Sequence, residues 1–140
     1  MLISCNDGDV VVPDQGTLLF EKSGLVDSVV VYGCYAHSSL YEVPDTLLLN
    51  GFSKLRVEFD GNVNSDGTII FVYLTSLDDE DIEIYKVRDI SEINKLHSLH
   101  ASFTFQKALF KIVLYINPPV CGQNEFKYNR VRDLKIYGIK

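Results

Sequence analysis

The feature that most constrains this chain is the rhythm of its apolar runs. From Thr17 onward, short runs rich in Val, Ile, Leu, Phe and Tyr recur at close intervals, with Gly, Pro, Asn, Asp and Ser between them. That spacing is the signature of β-strands joined by turns. Residues 54–59 (KLRVEF) alternate strictly, with Leu55, Val57 and Phe59 on one side and Lys54, Arg56 and Glu58 on the other. A strand that is dry on one face and wet on the other belongs to an antiparallel sheet. Residues 82–87 (IEIYKV) alternate too, and in residues 99–105 Leu99, Ala101, Phe103 and Phe105 are expected inward. No rhythm of strand, helix and strand appears, which disfavours a parallel α/β fold. The chain also has no internal repeat.

The remaining strands follow from the same reading. Residues 17–21 (TLLFE) form one. Residues 27–36 (DSVVVYGCYA) form another, with Gly33 marking a bulge or a close approach. Residues 40–43 and 46–49 flank Pro44-Asp45. Residues 68–74 (TIIFVYL) and 109–116 (LFKIVLYI) are apolar almost throughout, and Asn117-Pro118-Pro119 stops the second. Residues 131–139 close the chain, with Val131 out of step with Leu134, Ile136 and Gly138. The polar stretch 60–67, ending in Asp66-Gly67, is a turn that predicts a hairpin between strands 54–59 and 68–74. Ser91 is placed to cap a short helix reaching Leu96, and a loop fits there equally.

The expected fold is therefore all-β: an antiparallel β-sandwich of eight or nine strands over residues 16–140, preceded by a polar tether over residues 1–15. A chain of 140 residues makes one domain, and one of this size buries roughly 68% of its unfolded surface without staples. With 46% hydrophobic and 23% charged residues, it is not a disordered composition. The net charge of −6 opposes nucleic-acid binding, which calls for a basic surface. The cations Lys127, Arg130, Arg132 and Lys135 are interleaved with Tyr128, Val131, Leu134 and Ile136, as on the wet face of a strand. No apolar run reaches the ~18 residues that a membrane helix needs.

The three cysteines, Cys5, Cys34 and Cys121, form no CxxC pair, so neither a zinc site nor a thioredoxin-like motif is indicated. Leu2-Ile3-Ser4-Cys5 resembles the lipobox of bacterial lipoproteins, and Asn6-Asp7-Gly8-Asp9 is similar to the acidic stretch that follows the lipidated cysteine in Bacteroides-type surface lipoproteins. The resemblance implies a lipid anchor on Cys5, a place in the bacterial cell envelope at the outer membrane or surface, and membrane contact only through that lipid. It departs from the pattern in that only Met1 precedes Leu2, where a signal peptide has charged and apolar regions. The alternative is a tail carrying a free thiol. In an oxidising compartment Cys34 and Cys121 could pair. The demanding geometry of a disulfide favours two buried free thiols instead.

Residues 55–74, the aromatic stretch 102–105, the strand 110–116 and the terminal segment 132–138 (RDLKIYG) together resemble a jelly-roll sandwich. They look like carbohydrate-binding modules and galactose-binding-like domains, in which a last strand returns beside the first. Phage tail and receptor-binding domains use similar sandwiches.

Candidate sites are few. Residues 62–67 (NVNSDG) match the first half of a calcium loop, but Tyr73 stands where the late carboxylate should be, so a turn is expected. Asp78, Asp79, Glu80 and Asp81 read as a solvated loop rather than a cation site. His37, His97 and His100 are expected at the surface, and no catalytic triad or zinc motif accompanies them. Glu58 and Glu83 are the candidate halves of a glycosidase pair, but both alternate outward on strands. No cofactor and no metal are expected. Trp is absent, whereas Tyr and Phe number eight each. Tyrosine offers a flat apolar face with a polar tip, so Tyr32, Tyr35 and Tyr41, around a strand and its loop, and Tyr128, Asn129 and Arg130, in a loop before the last strand, are the candidate ligand-binding residues. The expected function is a non-enzymatic envelope lipoprotein that binds a glycan or a protein partner. The alternatives are a phage or oligomeric receptor-binding module and a small glycan-acting hydrolase.

Overall fold

The computed structural model describes residues 15–78, 80–117, 121 and 125–140. Among them the strands are β1 (Thr17–Tyr32), β2 (His37–Glu42), β3 (Leu47–Leu48), β4 (Lys54–Val63), β5 (Thr68–Ser76), β6 (Asp81–Val87), β7 (Leu96–Ser102), β8 (Lys107–Ile116) and β9 (Phe126–Ile139). A single helical turn, α1 (Ile90–Ile93), lies between β6 and β7. All strand pairs are antiparallel. One sheet runs β1-β9-β4-β7. The other runs β2-β8-β5-β6, with β3 also paired to β8. The all-β sandwich expected from the apolar rhythm is thus the fold.

Alternation builds the core. Leu55, Val57 and Phe59 of β4 are fully buried, as are Ile70, Val72 and Leu74 of β5, Phe110, Ile112, Leu114 and Ile116 of β8, and Val131, Leu134 and Ile136 of β9. Burying one such side chain stabilises the fold by about 1.5–3 kcal/mol. Strand β9 returns beside β1, pairing Thr17 with Gly138 and Tyr32 with Phe126.

Several local expectations are corrected. Strands β4 and β5 do not form a hairpin: β4 pairs with β7 and β9, and β5 with β6 and β8. The segment between them arches from one sheet to the other, so their buried sides face each other across the core. The Asp-Gly signal is local, whereas the sheet each strand joins is set by its faces. β5 is apolar on both sides, and β4 has one polar side. The expected strands 17–21 and 27–36 are one strand that ends at Tyr32. Gly24 breaks its register with φ +77°, and the Gly24 amide donates to Asp133 Oδ1 at 2.7 Å. Asp133 itself sits at φ +54°. This extra residue explains why Val131 is out of step with Leu134 and Ile136 although all three are buried. Gly33, with φ +106°, follows the end of β1 rather than marking a bulge inside it. Asp89, not Ser91, precedes α1, and it makes no side-chain cap. Phe103 and Phe105 lie beyond the end of β7, half-buried against the core.

Candidate functional site

The outer face of the β1-β9-β4-β7 sheet carries a cluster of exposed apolar side chains at one end. Val30 and Tyr32 on β1 lie opposite Tyr128 and Phe126 on β9. Tyr32 is 64% exposed and Phe126 51%. The Phe126 and Tyr128 rings are 6.1 Å apart, tilted by 54°. The guanidinium of Arg130 lies 4.2 Å over the Tyr128 ring, a cation–π contact that holds both groups in place. Tyr35, 70% exposed, stands in the loop that leaves this end of β1.

A disulfide braces the same end. Cys34 and Cys121 are joined, with Cα atoms 4.8 Å apart and a sequence separation of 87. Neither half-cystine is buried, so the expectation of two buried free thiols is corrected. The bond ties Cys34, two residues past the end of β1, to Cys121, which precedes β9 in sequence. The arch between β4 and β5 adds a second brace. Asn64 accepts the Tyr128 amide at 2.9 Å and donates to the Phe126 carbonyl at 2.8 Å. Asn64 of the Asx-rich stretch 62–67 thereby satisfies strand backbone.

Beside the aromatic cluster runs an open groove of about 410 Å³, lined by Asp60, Gly61, Asn62, Asn94, Lys95, Arg130 and Arg132. Arg130 and Arg132 project from one face of β9, and Asp60 and Asn62 are their partners on β4. The far wall is the segment after α1. Asn94 Oδ1 accepts the Val63 amide at 2.7 Å and Asn62 Nδ2 at 3.3 Å, and the Gly61 amide donates to the Lys95 carbonyl at 3.1 Å. A side chain on Gly61 would place Cβ 2.6 Å from the Ile93 carbonyl oxygen, so this wall requires glycine.

His97 anchors the wall from beneath. Expected at the surface, it is 2% exposed and stacked on Phe59 with ring centroids 4.8 Å apart. Its Nε2 meets the Ile93 carbonyl at 2.9 Å, and its Nδ1 meets the Tyr85 hydroxyl at 2.9 Å. The carbonyl can only accept, so Nε2 carries the proton and Nδ1 accepts from Tyr85. Burial holds the imidazole pKa below its ordinary 6.5. His37 and His100 are exposed.

Other expected site residues lie elsewhere. Tyr128 and Asn129 belong to β9 and not to a loop. Asn129 points inward, fully buried, and its amide donates to the Ile69 carbonyl at 3.0 Å. Tyr41 is half-buried against the core, with Lys22 Nζ 4.7 Å over its ring. Burial, and then Asp27, raise its pKa. Glu58 and Glu83 lie on different sheets, β4 and β6, and Glu58 pairs with Arg56 at 3.1 Å. They do not face one another as a catalytic pair. Asp81 is engaged by the Thr75 hydroxyl and by Lys111 at 3.5 Å. Among the described residues no three His, Cys, Asp or Glu side chains are grouped as metal ligands, and no helix is long and apolar enough to cross a membrane. Cys5, Asp79 and the rest of the expected leader up to residue 14 lie outside the described residues.

The groove wall was not legible from the sequence. Asn62, Asn94 and Lys95 come together only because β4 and the α1 segment pack at Gly61. The pairing of Tyr32 with Phe126 depends on β9 lying beside β1.

No protein-family model matches the sequence, and no curated protein matches it significantly. The fold is similar to that of TmCBM61, a carbohydrate-binding module solved in complex with β-1,4-galactotriose. The TM-score is 0.50 at 10% identity, and the match covers 79% of this chain and 70% of the other. At that identity the likeness is one of fold. Structures of infectious bursal disease virus, Gt and Gx strains, align at TM-scores of 0.44 and 0.41 with 9% and 13% identity. They cover 99% and 97% of this chain, which spans 38% and 35% of those viral chains.

Proposed function

We propose that this domain is a non-catalytic carbohydrate-binding module whose ligand lies along the outer face of the β1-β9-β4-β7 sheet. One observation carries the reading: the exposed Tyr32 and Phe126, with the half-buried Tyr128, form a braced aromatic surface that continues into a groove lined by amides and guanidiniums. Sugars are bound by that combination, with ring faces against C–H surfaces and directional polar groups for hydroxyls. The disulfide and Asn64 hold the surface in shape before the ligand arrives, which lowers the entropy cost of binding. The sandwich likeness to a glycan-binding module is consistent with this reading. A cell-envelope location through acylation of Cys5 belongs to the same proposal, and mass spectrometry of the protein isolated from its own cells tests it.

A glycan array of the whole chain, repeated with Tyr32→Ala and Tyr128→Ala, tests the binding. A defined set of glycans is expected to bind, and each substitution to weaken binding roughly tenfold, about 1.4 kcal/mol. Absence of binding to every glycan refutes the reading.

A second reading, a module that pairs with another copy of itself, is favoured by one observation. The outer face of the β2-β8-β5-β6 sheet carries an apolar patch around Lys111, which is paired with Glu42 and Asp81. Ile69, Phe71 and Tyr73 of β5 and Leu109, Val113 and Tyr115 of β8 all lie between the buried positions of their strands, and Leu40 is 59% exposed beside them.

A further inference from the structure

We infer that the groove beside the aromatic surface takes an acidic sugar unit, carboxylated or sulfated, rather than a wholly neutral glycan. The inference rests on the carbohydrate-binding reading and specifies its ligand class. In a chain of net charge −6, the groove gathers Arg130, Arg132 and Lys95 around one carboxylate, Asp60. Alternate residues on one face of β9 place the two arginine Cα atoms about 6.6–7 Å apart, close enough for both guanidiniums to meet one anionic group.

Two other strand cations of this sheet are held in ion pairs. Arg56 pairs with Glu58 at 3.1 Å, and Lys135 pairs with Glu21 at 3.9 Å. Arg130 has only the ring of Tyr128 beneath it, and among the described residues neither Arg130 nor Arg132 has an ion-pair partner. Lys95 makes only a long contact of 4.0 Å to the exposed Glu92. A guanidinium stacked on an aromatic ring keeps its in-plane N–H donors free, and a planar fork of donors matches a carboxylate or sulfate. The Asn62 amide stands beside Arg130 on the neighbouring strand and bonds to Asn94, which lies next to Lys95 on the far wall. The acid group would sit between Arg130 and Arg132, and the neighbouring sugar rings would lie on Tyr128, Phe126 and Tyr32.

The test measures binding of the whole chain to three polymers: polygalacturonate, a sulfated galactan and a neutral β-1,4-galactan of similar length. A single-stranded oligonucleotide serves as a fourth, non-sugar polyanion. At least one acidic polymer is expected to bind tenfold or more tightly than the neutral one, with affinity falling as salt rises. Which acidic polymer binds identifies the anion. R130Q/R132Q is expected to bring acidic binding down to the neutral level with the melting temperature lowered by at most a few degrees, the loss of one surface cation–π contact. Neutral polymer binding as tightly as acidic overturns this inference and leaves the carbohydrate-binding reading intact. So does undiminished acidic binding by R130Q/R132Q. No binding to any polymer overturns both, and tighter binding to the oligonucleotide than to any sugar polymer does the same.

Discussion

His97 shows how one buried side chain couples the core to the surface. It lies on Phe59, receives the Tyr85 hydroxyl and donates to the last residue of α1. Burial lowers its pKa in the folded state, so the unfolded chain holds more protons than the folded one between the lowered value and about 6.5. In that window stability rises with pH. The contribution is therefore complete above pH ~6.5–7 and is lost as pH falls through the folded pKa. Urea unfolding at pH 7.5 and 5.5 is expected to show lower stability at the acid end, and His97→Gln is expected to flatten that difference. Gly61 makes a steric counterpart. Alanine there meets the Ile93 carbonyl, and overpacking of this kind costs about 1–3 kcal/mol. A melting temperature lowered by several degrees, together with weaker glycan binding, is the expected outcome. Neither residue was legible in the sequence. His97 alternates correctly with Leu99 and Ala101, but a lone histidine gives no sign that a carbonyl and a hydroxyl await it. Gly61 looks like part of a turn.

At the scale of elements, alternation was readable, and of the pairings only the last strand beside the first was expected, from the jelly-roll resemblance. The strands were located to within a few residues, since a half-buried strand writes its two faces into its sequence. Their partners depend on contacts between distant segments. The arch from β4 to β5 replaced the expected hairpin for that reason. The disulfide belongs here as well. It closes a long loop between β1 and the approach to β9, and a crosslink over such a separation stabilises by about 2–5 kcal/mol. Cys34→Ala/Cys121→Ala, or reduction of the natural chain, is expected to lower the urea midpoint clearly. It is also expected to weaken glycan binding more than a surface substitution of equal thermodynamic cost, because Cys34 follows Tyr32 by two residues at the end of the sheet that carries the aromatic cluster.

At the scale of the molecule the two outer faces differ. One sheet presents aromatic side chains, arginines and a groove. The other presents Phe71, Tyr73, Val113 and Tyr115, with Lys86 beside Phe71 and with Glu83 and Lys111 on either side of Tyr73. An in-plane two-fold axis crossing the strands between these rows would bring Lys86 of one copy over Glu83 of the next and stack the two apolar faces, an isologous contact. Sedimentation velocity over rising concentration is expected to show a dimer, and Val113→Glu to return it to monomer without affecting glycan binding. A monomer at every concentration removes that second reading.

By itself the sequence determined the class of fold and most strand positions, because period-two alternation is a local property of the chain. It also marked Tyr32, Tyr128 and Arg130 as residues worth following. The tertiary structure alone decided that these three share one face, that Tyr41 and Asn129 turn away from it, and that Cys34 reaches Cys121. The physical reason is the same in each case. Which face a strand turns to solvent is written in its own residues, whereas which strand lies beside it is settled only when the two sheets bury their apolar sides together.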